Sequence, residues 1–419
     1  MENAAQTLKR QGIGKTALLG VQHVLAMFGA TVLVPMLTGL NPSIALLSAG
    51  LGTLLFHFVT KRKVPVFLGS SFAFIASLQA VIQDNPDNIP KAMGGIIVAG
   101  LIYLLFSLLV KIFGANKVRS FFPPVVCGPI IIVIGLSLAP GVVSSNILQN
   151  ETGELWQRLL IAGVVVLTML LVGVFAKGFF KLVPILFGII AGYIVSACFG
   201  FVNFTPVTDA NWFIHLSDFH FPPVFDLSSI LIIAPVALVT FIEHIGDITT
   251  NSAVVGEDFL TDPGLHRTLI GDGLATILAG FLGGPPNTTY GENTGVLAVT
   301  KNYNPFNIRV AAVVAVLLGI FGKFGALIRT IPTPVMGGVS IILFGMIASI
   351  GIRILGENKI DLSENRNLFI TAVLLVVGTT VSLTFGSVTI SGLSIAAVLG
   401  VILNKVLPEK KIEKQKANG

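Results

Sequence analysis

The chain has 419 residues, of which 53% are hydrophobic and only 11% charged, with a mean hydropathy of +0.89. Soluble domains carry about 25% charge, so this composition excludes an ordinary water-soluble enzyme or binding module and points to a chain embedded almost wholly in a membrane. The net charge of +6 comes from cations scattered between apolar runs rather than gathered in one aromatic-laced patch, which argues against a nucleic-acid surface.

A membrane helix takes about 20 apolar residues. The first fifteen residues lack the apolar core of a cleavable signal, so the first apolar run is expected to stay as a span. Fourteen segments are expected, near 16–34, 44–59, 70–82, 94–113, 124–139, 157–176, 182–200, 229–247, 267–281, 290–300, 307–325, 334–350, 367–385 and 388–406. Cys127 and Cys198 lie inside apolar runs and are read as buried small side chains, not as a disulfide or thiolate metal pair. No His, Cys, Asp and Glu cluster has metal-ligand spacing, and no metal or cofactor is expected. Gly12-Ile-Gly14-Lys15-Thr16 lacks the first glycine of a phosphate loop, since Lys9 stands in its place, so ATP-driven transport has no support.

Charge between the segments tests this division, because Lys and Arg collect in cytoplasmic loops. With both termini cytoplasmic, all of the 26 Lys and Arg except Lys91, Arg158, Lys323 and Arg329 fall on the cytoplasmic side. The stretch 201–228 has no Lys or Arg but carries Asp209, Asp218 and Asp226, as an external loop would. An error of one span would scramble this asymmetry.

The run from Arg119 through Pro124 and Gly128 to Gly135 recurs 210 residues later from Arg329 through Pro334 and Gly338 to Gly345. These copies fall on the fifth and twelfth segments, which cross in opposite directions, so the seven-span halves form an inverted repeat. Transporters built this way hold substrate near the midplane between broken helices. Two interrupted segments occupy matching places: Leu68-Gly-Ser-Ser-Phe72 in the third and Pro286-Asn-Thr-Thr-Tyr290-Gly-Glu292 in the tenth. Each reads as a short strand leading into a half-helix, whose free N–H groups offer donors to a bound acceptor.

Intramembrane carboxylates are costly and therefore functional candidates. Glu243, Asp247 and Glu292 are the main ones, with Glu243 and Asp247 one helical turn apart. Carboxylates accept from N–H and backbone amides donate to C=O, so the set suits a neutral planar ligand with alternating donors and acceptors, such as a nucleobase. Phe72 or Phe74 is placed to cover its face. Burial penalises the charged form of a carboxyl, which makes proton symport physically reasonable. His23 and His244 are either packing residues or proton relays.

Six runs carry a resemblance: Gln22-His23 with Ala26–Pro35, Leu68–Phe74, Glu243-His-Ile-Gly-Asp247, Asp262-Pro-Gly-Leu-His-Arg267, Pro286-Asn-Thr-Thr-Tyr-Gly-Glu-Asn293 and Pro334–Ser340. Together they resemble the nucleobase–ascorbate transporter family, in its bacterial uracil-transporting branch, over almost the whole chain. The resemblance implies an all-α integral membrane fold of two inverted seven-span repeats, with short β-strands in segments three and ten. It also implies a core domain (16–113 and 229–325), a gate domain (121–200 and 331–406), elevator movement, and a homodimer. Carried over to this chain, Glu243 and Glu292 bond the uracil ring, the Phe72 and Gly291 amides meet its carbonyls, and His23, Tyr290 and Ser340 support the pocket. Asp247 stands where some such permeases have a proton-coupling His, and Phe344 where some have Tyr.

The expected function is therefore proton-coupled uracil import at the cytoplasmic membrane, with Asp247, Glu243 and Glu292 as proton-coupling candidates and no enzymatic activity. Its alternatives are a xanthine, urate or other nucleobase symporter, and an anion transporter on the same fold.

Overall fold

The computed structural model describes residues 12–83, 85–114, 117–118, 120–215, 218–219, 222–385 and 388–408. Arg119 of the repeat and the terminal cations Lys9, Arg10, Lys410, Lys411, Lys414 and Lys416 lie outside the described residues.

Helix α1 (Ile13–Thr38) stops where Gly39 turns left-handed at φ 74°. Pro42 opens α2 (Pro42–Val59), whose first turn is capped by the Ser43 amide donating to Asn41 Oδ1 at 3.0 Å. The chain then extends as β1 (Leu68–Ser70), winds through a tight turn at Phe72–Phe74 and enters the half-helix α3 (Ile75–Ile82). Helices α4 (Ile89–Phe113), α5 (Pro124–Val143), α6 (Leu155–Phe175) and α7 (Pro184–Cys198) follow. A short helix, α8 (Thr205–Asp209), lies in the acidic connection, and α9 (Leu227–Ile233) leads into α10 (Val236–Val255). Next come α11 (Leu265–Leu282), β2 (Asn287–Thr289), the half-helix α12 (Gly291–Thr300), α13 (Pro305–Ile320), a short α14 (Gly322–Arg329) and α15 (Thr333–Glu357). Finally α16 (Asn365–Thr380) and α17 (Gly392–Val406) flank a hairpin of β3 (Ser382–Phe385) and β4 (Val388–Ser391).

Among the described residues, seven helices are long and apolar enough to cross a membrane, and four shorter apolar helices accompany them. Large apolar side chains such as Leu159, Leu167, Leu170 and Leu171 of α6 face outward, as lipid contact requires. The chain is a multi-pass membrane protein. Strands β1 and β2 pair antiparallel, Leu68 with Thr289, Gly69 with Thr288 and Ser70 with Asn287. Ser71 N–H donating to Pro286 O (2.8 Å) and Tyr290 N–H to Phe67 O (3.0 Å) extend the ladder, so this buried non-helical backbone keeps its hydrogen bonds.

Helix pairing follows a mirrored pattern: α2 packs on α13 as α11 packs on α4, and α5 on α16 as α15 on α6, around the α5–α15 contact. Gly100 of α4 and Gly273 of α11 make their approach possible, since a Cβ on either would come within 2.9 Å of the other's carbonyl oxygen. One apolar core runs from Val24 on α1 to Ala397 on α17.

Three expectations are corrected. The thirteenth and fourteenth segments are expected to be apolar up to 385 and from 388, but residues 382–385 and 388–391 form a second antiparallel pair of strands, Ser382 opposite Ser391 and Thr384 opposite Thr389. The eleventh segment breaks at Phe321, where the chain turns extended (ψ 98°) and restarts as α14. Cys198, at the C-terminal end of α7, is exposed and Cys127 is only half-buried, its thiol donating to Phe122 O at 3.1 Å.

Candidate functional site

The two interrupted segments meet back to back through β1 and β2, and the residues singled out from sequence gather around that junction. Gly69 must be glycine here: a Cβ would lie 2.4 Å from Cζ of the Tyr290 ring. With the ring thus seated, the buried Tyr290 hydroxyl donates to Ser70 O at 2.8 Å, tying the start of α12 to β1. Directly after Tyr290, α12 begins at Gly291, which is exposed; a Cβ built there would meet nothing closer than Asp247 Oδ1 at 4.0 Å. The first turn of α12 therefore opens onto free space, with its N–H groups unpaired within the helix.

Helix α10 lines the other side. Glu243 and Asp247 are both half-buried, one turn apart as their spacing requires. Asp247 Oδ2 accepts the Thr289 hydroxyl of β2 at 2.6 Å, so it is not a solvated residue at a helix end. Glu243 lies within electrostatic reach of Asp247, Asp272 and Glu292. Among the described residues neither its carboxylate nor that of Glu292 has a side-chain hydrogen-bond partner. Three carboxylates thus surround the open end of α12, two of them without a side-chain partner.

The flanking residues reach this junction in different ways. His23 of α1, buried, takes both its ring Nδ1 and its carbonyl to Asn293 Nδ2, at 3.2 and 3.0 Å. Phe72 is buried after β1 and meets Phe344 of α15 edge-on, with ring centroids 6.4 Å apart. That contact bridges the half-helix region and α15. Ser340 is buried on α15, and its hydroxyl donates back to Met336 O at 2.8 Å. Phe74 is fully buried in the core, which leaves Phe72 as the ring next to the junction.

Behind Glu243 lies a network that the sequence reading missed. His244, fully buried, meets Asp272 Oδ2 of α11 through Nδ1 at 2.9 Å and Thr268 Oγ1 through Nε2 at 2.9 Å. The second Asp272 oxygen, the Tyr103 hydroxyl of α4 and the Thr288 hydroxyl of β2 are buried without a strict hydrogen-bond partner. The signal was present: Asp272 is a carboxylate inside an apolar segment, the criterion that selected Glu243 and Glu292. Among the described residues no group of three His, Cys, Asp or Glu is disposed to hold a metal.

The Permease family model matches residues 14–387. The chain is 47% identical over 405 residues to a probable uracil permease of Pasteurella multocida, covering 96% of each chain. It is 46% identical over 405 residues to the uracil permease of Bacillus subtilis (94% of this chain, 92% of that one). Against the uracil permease of Escherichia coli the identity is 40% over 402 residues (95% and 92%). Among solved structures it is similar to the overall structure of SLC26A9, with a TM-score of 0.68 at 12% identity over 96% of this chain and 66% of that one. It is also similar to the transmembrane domain of a cyanobacterium bicarbonate transporter, BicA, with a TM-score of 0.60 at 16% identity over 93% and 96%. These two likenesses are of fold alone.

Proposed function

We propose, from the premise that this chain belongs to the Permease family and within it to the nucleobase–ascorbate transporters, that it imports uracil by proton symport. The observation that carries the reading is the open N-terminus of α12, with Gly291 exposed next to Glu292 and Asp247 Oδ1 4.0 Å from where its Cβ would sit. Relatives named as uracil permeases at 40–47% identity support the choice of base.

In this reading Glu243 and Glu292 accept the ring N–H groups of uracil, the Gly291 and Phe72 amides donate to its carbonyls, and Phe72 covers one face. Tyr290, His23 and Ser340 hold the walls: Tyr290 through Ser70, His23 through Asn293, and Ser340 by lining α15. Glu243, Glu292 and Asp247 are the groups whose protons couple to transport. An anion is disfavoured because the carboxylates would repel it.

The mirrored helix pairs and the antiparallel β1–β2 pair support fourteen segments in two inverted halves. Residues 16–113 and 229–325 then form a substrate-carrying core, and 121–200 and 331–406 a gate built on the α5–α15 contact. Elevator movement of core against gate gives alternating access, with the Phe72–Phe344 contact at the boundary. The working unit is a homodimer in the cytoplasmic membrane, both termini inside.

Equilibrium binding of labelled uracil to the purified protein tests the site. Glu292→Gln and Glu243→Gln each lose a charge-assisted acceptor, so affinity should fall about tenfold or more. Glu292→Gln binding uracil as tightly as the unaltered protein would falsify the assignment, and displacement of uracil by xanthine would move the substrate class to purines.

A further inference from the structure

Asp247 is held in a particular place. Its Oδ2 accepts from Thr289 at 2.6 Å, and its Oδ1 lies 4.0 Å from where a Gly291 Cβ would sit. The carboxylate therefore stands at the mouth of the α12 N-terminus, where oriented amides favour an acceptor oxygen. A substrate carbonyl approaching Gly291 needs the same ground. Thr289 can hold Asp247 there because β2 is fixed: Thr289 pairs with Leu68, and the next residue, Tyr290, is tied to both Phe67 and Ser70.

We propose that Thr289 is a positioning residue for transport, holding the Asp247 carboxylate against the start of α12 as an internal competitor that yields to the substrate carbonyl when Asp247 takes up a proton. This rests on the functional reading above and adds an order of events to it. The ionised carboxylate accepts the Thr289 hydroxyl and stands beside the open donor end of the half-helix, where its charge repels an approaching carbonyl oxygen. One proton, bound at a carboxylate oxygen, removes the negative charge, weakens its hold on the Thr289 hydroxyl and lifts the repulsion of a substrate carbonyl at the α12 amides. On the other side of the membrane the substrate leaves, the proton leaves Asp247, and the carboxylate returns to the Thr289 hydroxyl. Binding of uracil and of the proton are thereby linked at one atom group.

Other charged groups face Asp247 and remain in any variant that changes it alone. They are Glu243 on its own helix, Glu292 on α12, Asp272 on α11 and Arg353 on α15. A pH dependence due to them survives the loss of Asp247, which makes the two sources separable.

Labelled uracil binding to the purified full-length protein is measured between about pH 5 and pH 9. One proton taken up per uracil bound makes the dissociation constant rise by up to about tenfold per pH unit once Asp247 ionises. In Asp247→Asn this slope should disappear and affinity at alkaline pH should exceed that of the unaltered protein. Thr289→Val, which keeps every charge, should flatten the slope by loosening the competitor, and Thr289→Ser should restore it. A slope unchanged in Asp247→Asn, or Thr289→Val behaving as Thr289→Ser does, overturns the inference while leaving the uracil site intact. Absence of uracil binding to the unaltered protein at every pH overturns the functional reading and this inference together.

Discussion

Replacing His244 with Leu tests the buried network behind the candidate site. Both His244 and Asp272 side chains are fully buried, and the imidazole supplies two contacts of 2.9 Å, one to Asp272 Oδ2 and one to Thr268 Oγ1. Leucine is close in volume, so the cavity cost is small; the loss lies in the polar groups left behind. Asp272 Oδ1 is already without a partner, and His244→Leu orphans the second oxygen as well. Stranding one member of a buried pair costs about 3–5 kcal/mol. The Thr268 hydroxyl still donates to Leu265 O at 3.0 Å, so a single buried acceptor is newly orphaned, at about 1–3 kcal/mol. A loss of about 3 kcal/mol is expected where the two estimates meet. Thermal unfolding of the purified protein in detergent measures it. Replacing both residues by Leu removes the stranded carboxylate, so the double variant should melt above His244→Leu. His244→Leu melting like the unaltered protein, or the double variant losing the sum of the single effects, refutes the coupling.

Gly273→Ala should destabilise by about 1–3 kcal/mol, because the new methyl would lie 2.8 Å from Tyr103 Cβ and 2.9 Å from Gly100 O, and the α4–α11 contact must open; the same melting measurement reads it. At the start of α9, the Ser229 amide and hydroxyl donate to Asp226 at 2.8 and 2.7 Å and hold its carboxyl below the ordinary value of 3.8. A depressed folded value means the cap's contribution is full above the unfolded value and lost as pH falls through the folded one. Asp226→Ala should therefore cost about 1 kcal/mol at neutral pH and converge with the unaltered protein in acid, as melting temperature against pH would register.

Punctuation was the most legible part of the sequence. Pro42, Pro124, Pro184 and Pro305 open helices, and Gly39, Gly256 and Gly283 end them in left-handed turns, while the far ends of the expected segments at 247 and 350 fall short of Val255 and Glu357. Proline and glycine act through local backbone geometry, which needs no knowledge of the rest of the fold. The β3–β4 pair escaped for the opposite reason. Its Leu383, Phe385 and Ile390 count as apolar in any hydropathy window, and only the return of the chain on itself turns that run into paired strands. The same holds for Asp272. Its charge was visible, yet its position opposite His244 depends on how α10 and α11 pack, which no spacing within either helix encodes.

Local and long-range information meet at β1 and β2. Matching interrupted segments about 220 residues apart, in halves of seven spans each, require opposite directions, so an antiparallel pair follows from counting. Register does not. It is fixed by Gly69, the one position in β1 where the Tyr290 ring can lie against the backbone. Sliding the pair by one residue would put Leu68 or Ser70 under that ring, introduce a Cβ where there is no room, and flip every side chain of a three-residue strand to the other face. Thr289 would then turn away from Asp247. A chain selected to keep that one hydroxyl beside that one carboxylate must keep the glycine too, even though Gly69 touches neither.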